Sequence, residues 1–168
     1  MKKNIIIKNL IMDNKYINIY NNLINLTRNK KLYVDLIKHD TFSDRLFFFL
    51  FHFAFLLKAY KKQCSKKTLQ EIFDYFFKQL EASIREIGYG DVTINKKMKI
   101  YVNLFYSILN EVDKWEALDK SQQQKVLRKY LNLANNNINI LNYFENYYIY
   151  LKNNTFNSLL KGVIKLNF

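Results

Sequence analysis

The chain has no proline, three glycines and a single cysteine, Cys64. Sheet-rich domains need Gly and Pro at many turns, so their scarcity argues for long helices joined by few reversals. One cysteine excludes an internal disulfide and any multi-cysteine metal site, and Cys64 reads as inert. Acid is also scarce: 14 Asp and Glu stand against 27 Lys and Arg, a formal net charge of +13. Long hydrophobic runs are missing too. The strongest, Leu46 to Leu57 (LFFFLFHFAFLL), has 12 residues, is bounded by Arg45 and Lys58 and is interrupted by His52. As a helix it covers about 18 Å against a bilayer core of about 30 Å, so it reads as a buried helix rather than a span. The N-terminal stretch lacks the apolar core and cleavage site of a secretory signal and the Arg- and Ser-rich pattern of a transit peptide. A cytoplasmic product is expected.

What is present is apolar and aromatic. The 168 residues fit one domain, and with 49% apolar and 17% aromatic residues they can bury a sizeable core. Lys outnumbers Arg 23 to 4. Asn, Ile, Tyr and Phe are over-used as well, the pattern of AT-rich codons. The Asn clusters (Asn21-Asn22, Asn135-Asn136-Asn137, Asn153-Asn154) therefore need not signal prion-like disorder. The charge is uneven. Residues 1–31 carry seven basic residues and one acid, residues 120–168 again seven and one, and residues 32–119 thirteen and twelve. Two basic ends around a near-neutral body suit a ribosomal RNA surface, anionic lipid headgroups or plain solvation.

Periodicity points to helices throughout. Ile17, Tyr20, Leu23, Ile24 and Thr27 share a face, and a short helix is expected from Leu32 to Ile37. Asp40-Thr41-Phe42-Ser43 reads as a turn and N-cap for the apolar helix. Thr68-Leu69-Gln70-Glu71 is a capping-box pattern, followed by a wide stripe of Leu69, Ile72, Phe73, Phe76, Phe77, Leu80, Ile84 and Ile87. Gly88 then suits the left-handed closure of that helix. Thr93 is the expected N-cap of a helix over 95–118 with a stripe of Met98, Tyr101, Val102, Phe105, Ile108, Leu109 and Val112. Ser121-Gln122-Gln123-Gln124 is a second capping pattern for a helix to Leu133. Ile138 to Leu151 reads as helical, and a short closing helix starts at Thr155. The expected fold is an all-α, single-domain bundle of about six to eight helices. A basic N-terminal tail over 1–15 precedes a helical domain over 16–168, with a central hairpin turning at Gly88–Thr93.

Nothing in the sequence argues for catalysis, so no enzyme is expected. Gly88-Tyr89-Gly90 lacks the third glycine and the preceding strand of a nucleotide-binding loop. His39 and His52 have no carboxylate or thiol at ligand spacing, and no metal or other cofactor is expected. Carboxylates such as Asp113 and Glu116 read as solvated helix surface rather than acid–base pairs. Gly88 and Gly90 are expected to supply positive φ and a sharp reversal, and Asp91 to take backbone N–H groups in the turn. His52 reads as a hydrogen-bonded core histidine. Arg45 is expected to pair with Asp40, Asp44 or Glu86. Arg85 and Glu86 point to different sides of their helix, so at least one is free to reach another helix or a partner.

Ser83-Ile84-Arg85-Glu86-Ile87-Gly88-Tyr89-Gly90-Asp91 closely resembles the "LREMGVGD" signature of the ubiquinol–cytochrome c chaperone family. Asp40-Thr41-Phe42 with Arg45 and His52 is similar to that family's "DTxxGRF…LH" block, and Phe73 to Phe77 to its "LFdaFF" segment. Lys96-Lys97-Met98-Lys99 resembles the basic start of its next helix, Phe105-Tyr106 its "FYGR", and Leu159 to Val163 its closing "LlxGxi". Asp44, Leu46, Asn95 and Ser107-Ile108 depart from the pattern. Order and spacing agree over 20–168, as in a compact, alphaproteobacterial-type member. The resemblance implies an assembly factor that binds newly made cytochrome b, peripheral at the inner membrane (the matrix side in a mitochondrion), near the ribosome and with a small partner subunit. It implies partner contacts from Arg85, Glu86, Tyr89, Asp91, Lys96, Lys97 and Lys99, with Asp40, Arg45, His52, Gly88 and Gly90 as structural motif. A basic helical RNA-binding or ribosome-associated protein is the alternative.

Overall fold

The computed structural model describes residues 15–35, 40–133 and 138–166. The expected tail apart from its last residue, the end of the helix expected to reach Ile37, His39 and the Asn135–Asn137 cluster lie outside the described residues. The elements are α1 (Ile17–Thr27), α2 (Lys30–Asp35), α3 (Phe42–Tyr60), α4 (Lys66–Glu86), α5 (Asp91–Asp113), a 3-10 turn (Trp115–Ala117), α6 (Lys120–Tyr130), α7 (Ile138–Asn153) and α8 (Phe156–Lys161). The fold is all-α, as the Gly and Pro scarcity implies.

The apolar run of α3 becomes the axis of the bundle. A helix that is apolar on every side must be covered on every side. α1, α5 and α7 all pack against α3, and Phe48, Phe51, Phe53 and Phe55 are fully buried. On one side Phe53 lies 4.4 Å from Phe76 of α4 and 4.7 Å from Phe105 of α5, ring centroid to centroid. On another, Phe48 and Phe55 stack on Phe144 of α7 at 5.9 and 5.5 Å. No helix among the described residues is long and apolar enough to cross a membrane.

Polar groups tie the buried helices together where water cannot. The Tyr60 hydroxyl donates to the Leu151 carbonyl at 2.7 Å. The Tyr147 hydroxyl donates to the His52 carbonyl at 3.2 Å. His52 itself is fully buried between α3 and α7, with Nδ1 2.6 Å from the Phe48 carbonyl oxygen and Nε2 against the Tyr143 hydroxyl.

Several helix ends differ from the sequence expectation by a few residues. Thr41 caps α3 as expected, closing a capping box with Asp44. α4 instead starts before Thr68, because the Ser65 hydroxyl takes the Thr68 N–H at 3.1 Å. Glu71, released from the expected box, accepts the Tyr16 hydroxyl at 2.9 Å. α6 is capped by Asp119 with Gln122 rather than by Ser121, and it ends at Tyr130 rather than Leu133. α5 starts at Asp91, so Thr93 lies inside the helix and the reversal is confined to 87–90. It also ends at Asp113, where the 3-10 turn sends buried Trp115 against Phe55.

Candidate functional site

The residues singled out by the sequence fall into two groups. Asp40, Arg45 and His52 belong to α3 and its entry. The rest gather at the turn between α4 and α5.

Arg45 resolves its three possible partners in favour of Asp40. Nε and Nη2 donate to the two Asp40 oxygens at 2.6 and 2.8 Å. The guanidinium hydrogen bonds hold the Asp40 carboxyl below the usual carboxylate range. Asp44 is occupied by the Thr41 cap. Burial pushes His52 down to about 4, so the imidazole is neutral at pH 7. These residues stabilise the start and middle of α3.

The turn is built by Gly88, whose φ of 97° places it in the left-handed region. No atom would meet a Cβ there within 4 Å, so the demand for glycine comes from the backbone rather than from space. Gly90 does not share that role: its φ is −71° and it is the N-cap of α5, without a capping side chain. Asp91 departs from expectation as well. Its carboxylate receives the Arg85 guanidinium, and Arg85 Nη2 also donates to Glu81 at 2.7 Å. Arg85 is thus committed to clasping α4 to the first turn of α5, where an acid also complements the helix dipole. Glu86 stands exposed at the last turn of α4.

Tyr89 lies under the Lys97 ammonium, 4.7 Å from ring centroid to Nζ. Lys96 and Lys99 point outward from α5. Around them sit apolar side chains that sequence reasoning missed: Ile87, Val92 and Ile100 are 57%, 71% and 61% exposed. Ile87 looked like the last member of the α4 stripe, but it follows the helix end and is left in solvent. Val92 and Ile100 fall on the side of α5 opposite Phe105, which their spacing from Phe105 already encodes.

A groove of about 310 Å³ opens beside the hairpin, between the end of α3, the start of α4 and the middle of α5. Leu57, Leu69, Phe73, Phe105 and Leu109 form its apolar floor, with Lys61 and Lys66 on the rim. Asp113 and Glu116 are anchors for lysines rather than free surface charges. Lys61 reaches Asp113 at 2.9 Å, and buried Lys58 reaches Glu116 at 3.5 Å. Cys64 is a free thiol between α3 and α4, and burial pushes its pKa up. Among the described residues no cluster of His, Cys, Asp and Glu is placed to hold a metal ion.

Fold and site together define a single-domain helical bundle with an exposed basic and apolar hairpin end. A family model described as ubiquinol–cytochrome C chaperone matches residues 35–142, and the chain belongs to that family. No curated protein and no solved structure matches it. The match spans α3, α4, the turn, α5, α6 and the first residues of α7. The Leu159–Val163 segment lies beyond it.

Proposed function

We propose that this chain is a non-enzymatic assembly chaperone that binds newly synthesised cytochrome b and holds it until partner subunits of the ubiquinol–cytochrome c reductase join. The observation that carries the reading is the family match over 35–142, which supports a chaperone role in assembly of that complex. The groove beside the hairpin suits the reading. Its apolar floor offers cover to a hydrophobic client segment before that segment is buried elsewhere, and Lys66 on the rim can meet an acid that flanks the segment, Lys61 being held by Asp113. On this reading the chain works at the inner membrane, close to where its client is made.

Removing the chain from cells tests the proposal. Cytochrome b should fall while an unrelated membrane complex keeps its level, and returning the wild-type chain should restore it. Unchanged cytochrome b in the depleted cells would refute the proposal.

A further inference from the structure

We propose that the convex end of the α4–α5 hairpin, together with the outer face of α5 from Val92 onward, docks on the headgroup region of an anionic lipid bilayer. The inference rests on the chemistry exposed there and does not depend on the identity of the client.

Ile87, Tyr89 and Val92 protrude from one turn, and Ile100 continues the patch two helical turns further along α5. Val92, Lys96, Lys99 and Ile100 occur at i, i+4, i+7 and i+8, which puts them on one helix face. Asn103 and Ser107 extend that face, and it carries no acidic residue between Val92 and Ser107. Of the acids nearest the turn, Glu81 and Asp91 are taken by Arg85, and Glu86 stands exposed at the end of α4. Lys96 and Lys99 make no ion pair among the described residues. The α5 face therefore presents aliphatic side chains interleaved with cations, three lysines against the single exposed Glu86 beside the turn.

That mixture selects its partner. Interfacial helices bury an apolar face about 5–10 Å into the headgroup boundary while Lys stems reach back to the phosphates. Tyr89 under Lys97 has an apolar ring with a polar tip, the form favoured at that depth. Nucleic acid would be held through its phosphates and gain nothing from Ile87, Val92 and Ile100, and the patch's one ring, Tyr89, is covered by Lys97. A protein segment is better served by the groove beside Phe73 than by a protruding turn.

The test uses the whole chain with vesicles of phosphatidylcholine, alone or mixed with phosphatidylglycerol, and with brominated acyl chains as a contact quencher. Native Trp115 is buried and serves as an internal blank. Tyr89→Trp places a reporter on the turn. The expected result is co-sedimentation with the anionic vesicles, a blue shift of the new tryptophan and its quenching by brominated lipid, with wild-type Trp115 unquenched. Val92→Ser with Ile100→Ser keeps every charge and should weaken binding by about tenfold. Lys161→Gln with Lys165→Gln, at the other basic end, should leave it unchanged. Millimolar inorganic phosphate should not displace the chain. Binding that survives the two serines, or an unquenched Trp at position 89, would mean that net charge alone attracts the chain and would overturn the proposal. So would failure to bind anionic vesicles, which would leave these residues to an acidic protein or RNA partner.

Discussion

Replacing His52 with glutamine removes a titrating group sealed between α3 and α7, and it should change how the fold responds to acid. The Phe48 carbonyl can only accept, so His52 Nδ1 at 2.6 Å carries the proton. Nε2 is then the acceptor for the Tyr143 hydroxyl. The neutral ring satisfies both partners, whereas the charged ring would stand among Phe144, Tyr147 and Phe48 with no water to solvate it. Burial lowers its pKa from 6.5 to about 4. The folded value lies below the unfolded one, so the unfolded chain takes up the proton first. The histidine's contribution is intact above pH 6.5 and is lost as the pH falls towards 4. A gap of about 2.5 in pKa corresponds to about 3 kcal/mol. Urea unfolding of wild type and His52→Gln, repeated across this pH range, measures it. The stability difference, wild type minus variant, should grow by about 3 kcal/mol from pH 4 to pH 7. Asp40 and Glu116, whose carboxyls are also held below their ordinary values, are present in both proteins and cancel in the difference. Parallel stability curves for the two proteins would refute the argument.

Other perturbations bear on the core and the turn. Gly88→Val should cost about 1–3 kcal/mol by forcing a β-branched residue to positive φ, and an unchanged melting temperature would contradict that origin. Phe53→Ala empties the point where α3, α4 and α5 rings meet and should cost about 3–5 kcal/mol in chemical denaturation. Changing Lys96, Lys97 and Lys99 together to Ala should leave the helical circular dichroism intact. It should change the melting temperature little, since α5 starts at Asp91 and these lysines stand in its second and third turns, past the reach of the N-terminal dipole.

The fold class was legible because its signals are dense: no proline, stripes at three- and four-residue spacing and a glycine turn. The hardest boundaries were those with two capping residues in competition. Ser65 beat Thr68 and Asp119 beat Ser121, and in each case the earlier oxygen captured the third N–H of the new helix. Spacing alone cannot rank such rivals, because the choice depends on where the preceding chain arrives. At the turn, the need for glycine at position 88 was readable and the partner of Asp91 was not. The turn brings the Asp91 carboxylate back over the last turn of α4, so it meets Arg85 instead of a backbone N–H. Glu71 shows the same gap at longer range, since its Tyr16 partner lies 55 residues away. The exposed apolar patch was half visible: Val92 and Ile100 fall outside the α5 stripe, whereas Ile87 matched the α4 stripe until the helix ended before it.

The central claim, that the chain is a chaperone for cytochrome b, is tested most directly by tagging it at the chromosomal locus and recovering it from gently solubilised membranes. Immunoblot and peptide mass spectrometry would score cytochrome b, ribosomal proteins and a control membrane complex. The account predicts that cytochrome b co-purifies, most strongly when later subunits of the complex are depleted, with or without ribosomes. Recovery of ribosomal RNA and proteins alone, with no cytochrome b even under that depletion, would contradict it and support an RNA-binding protein instead.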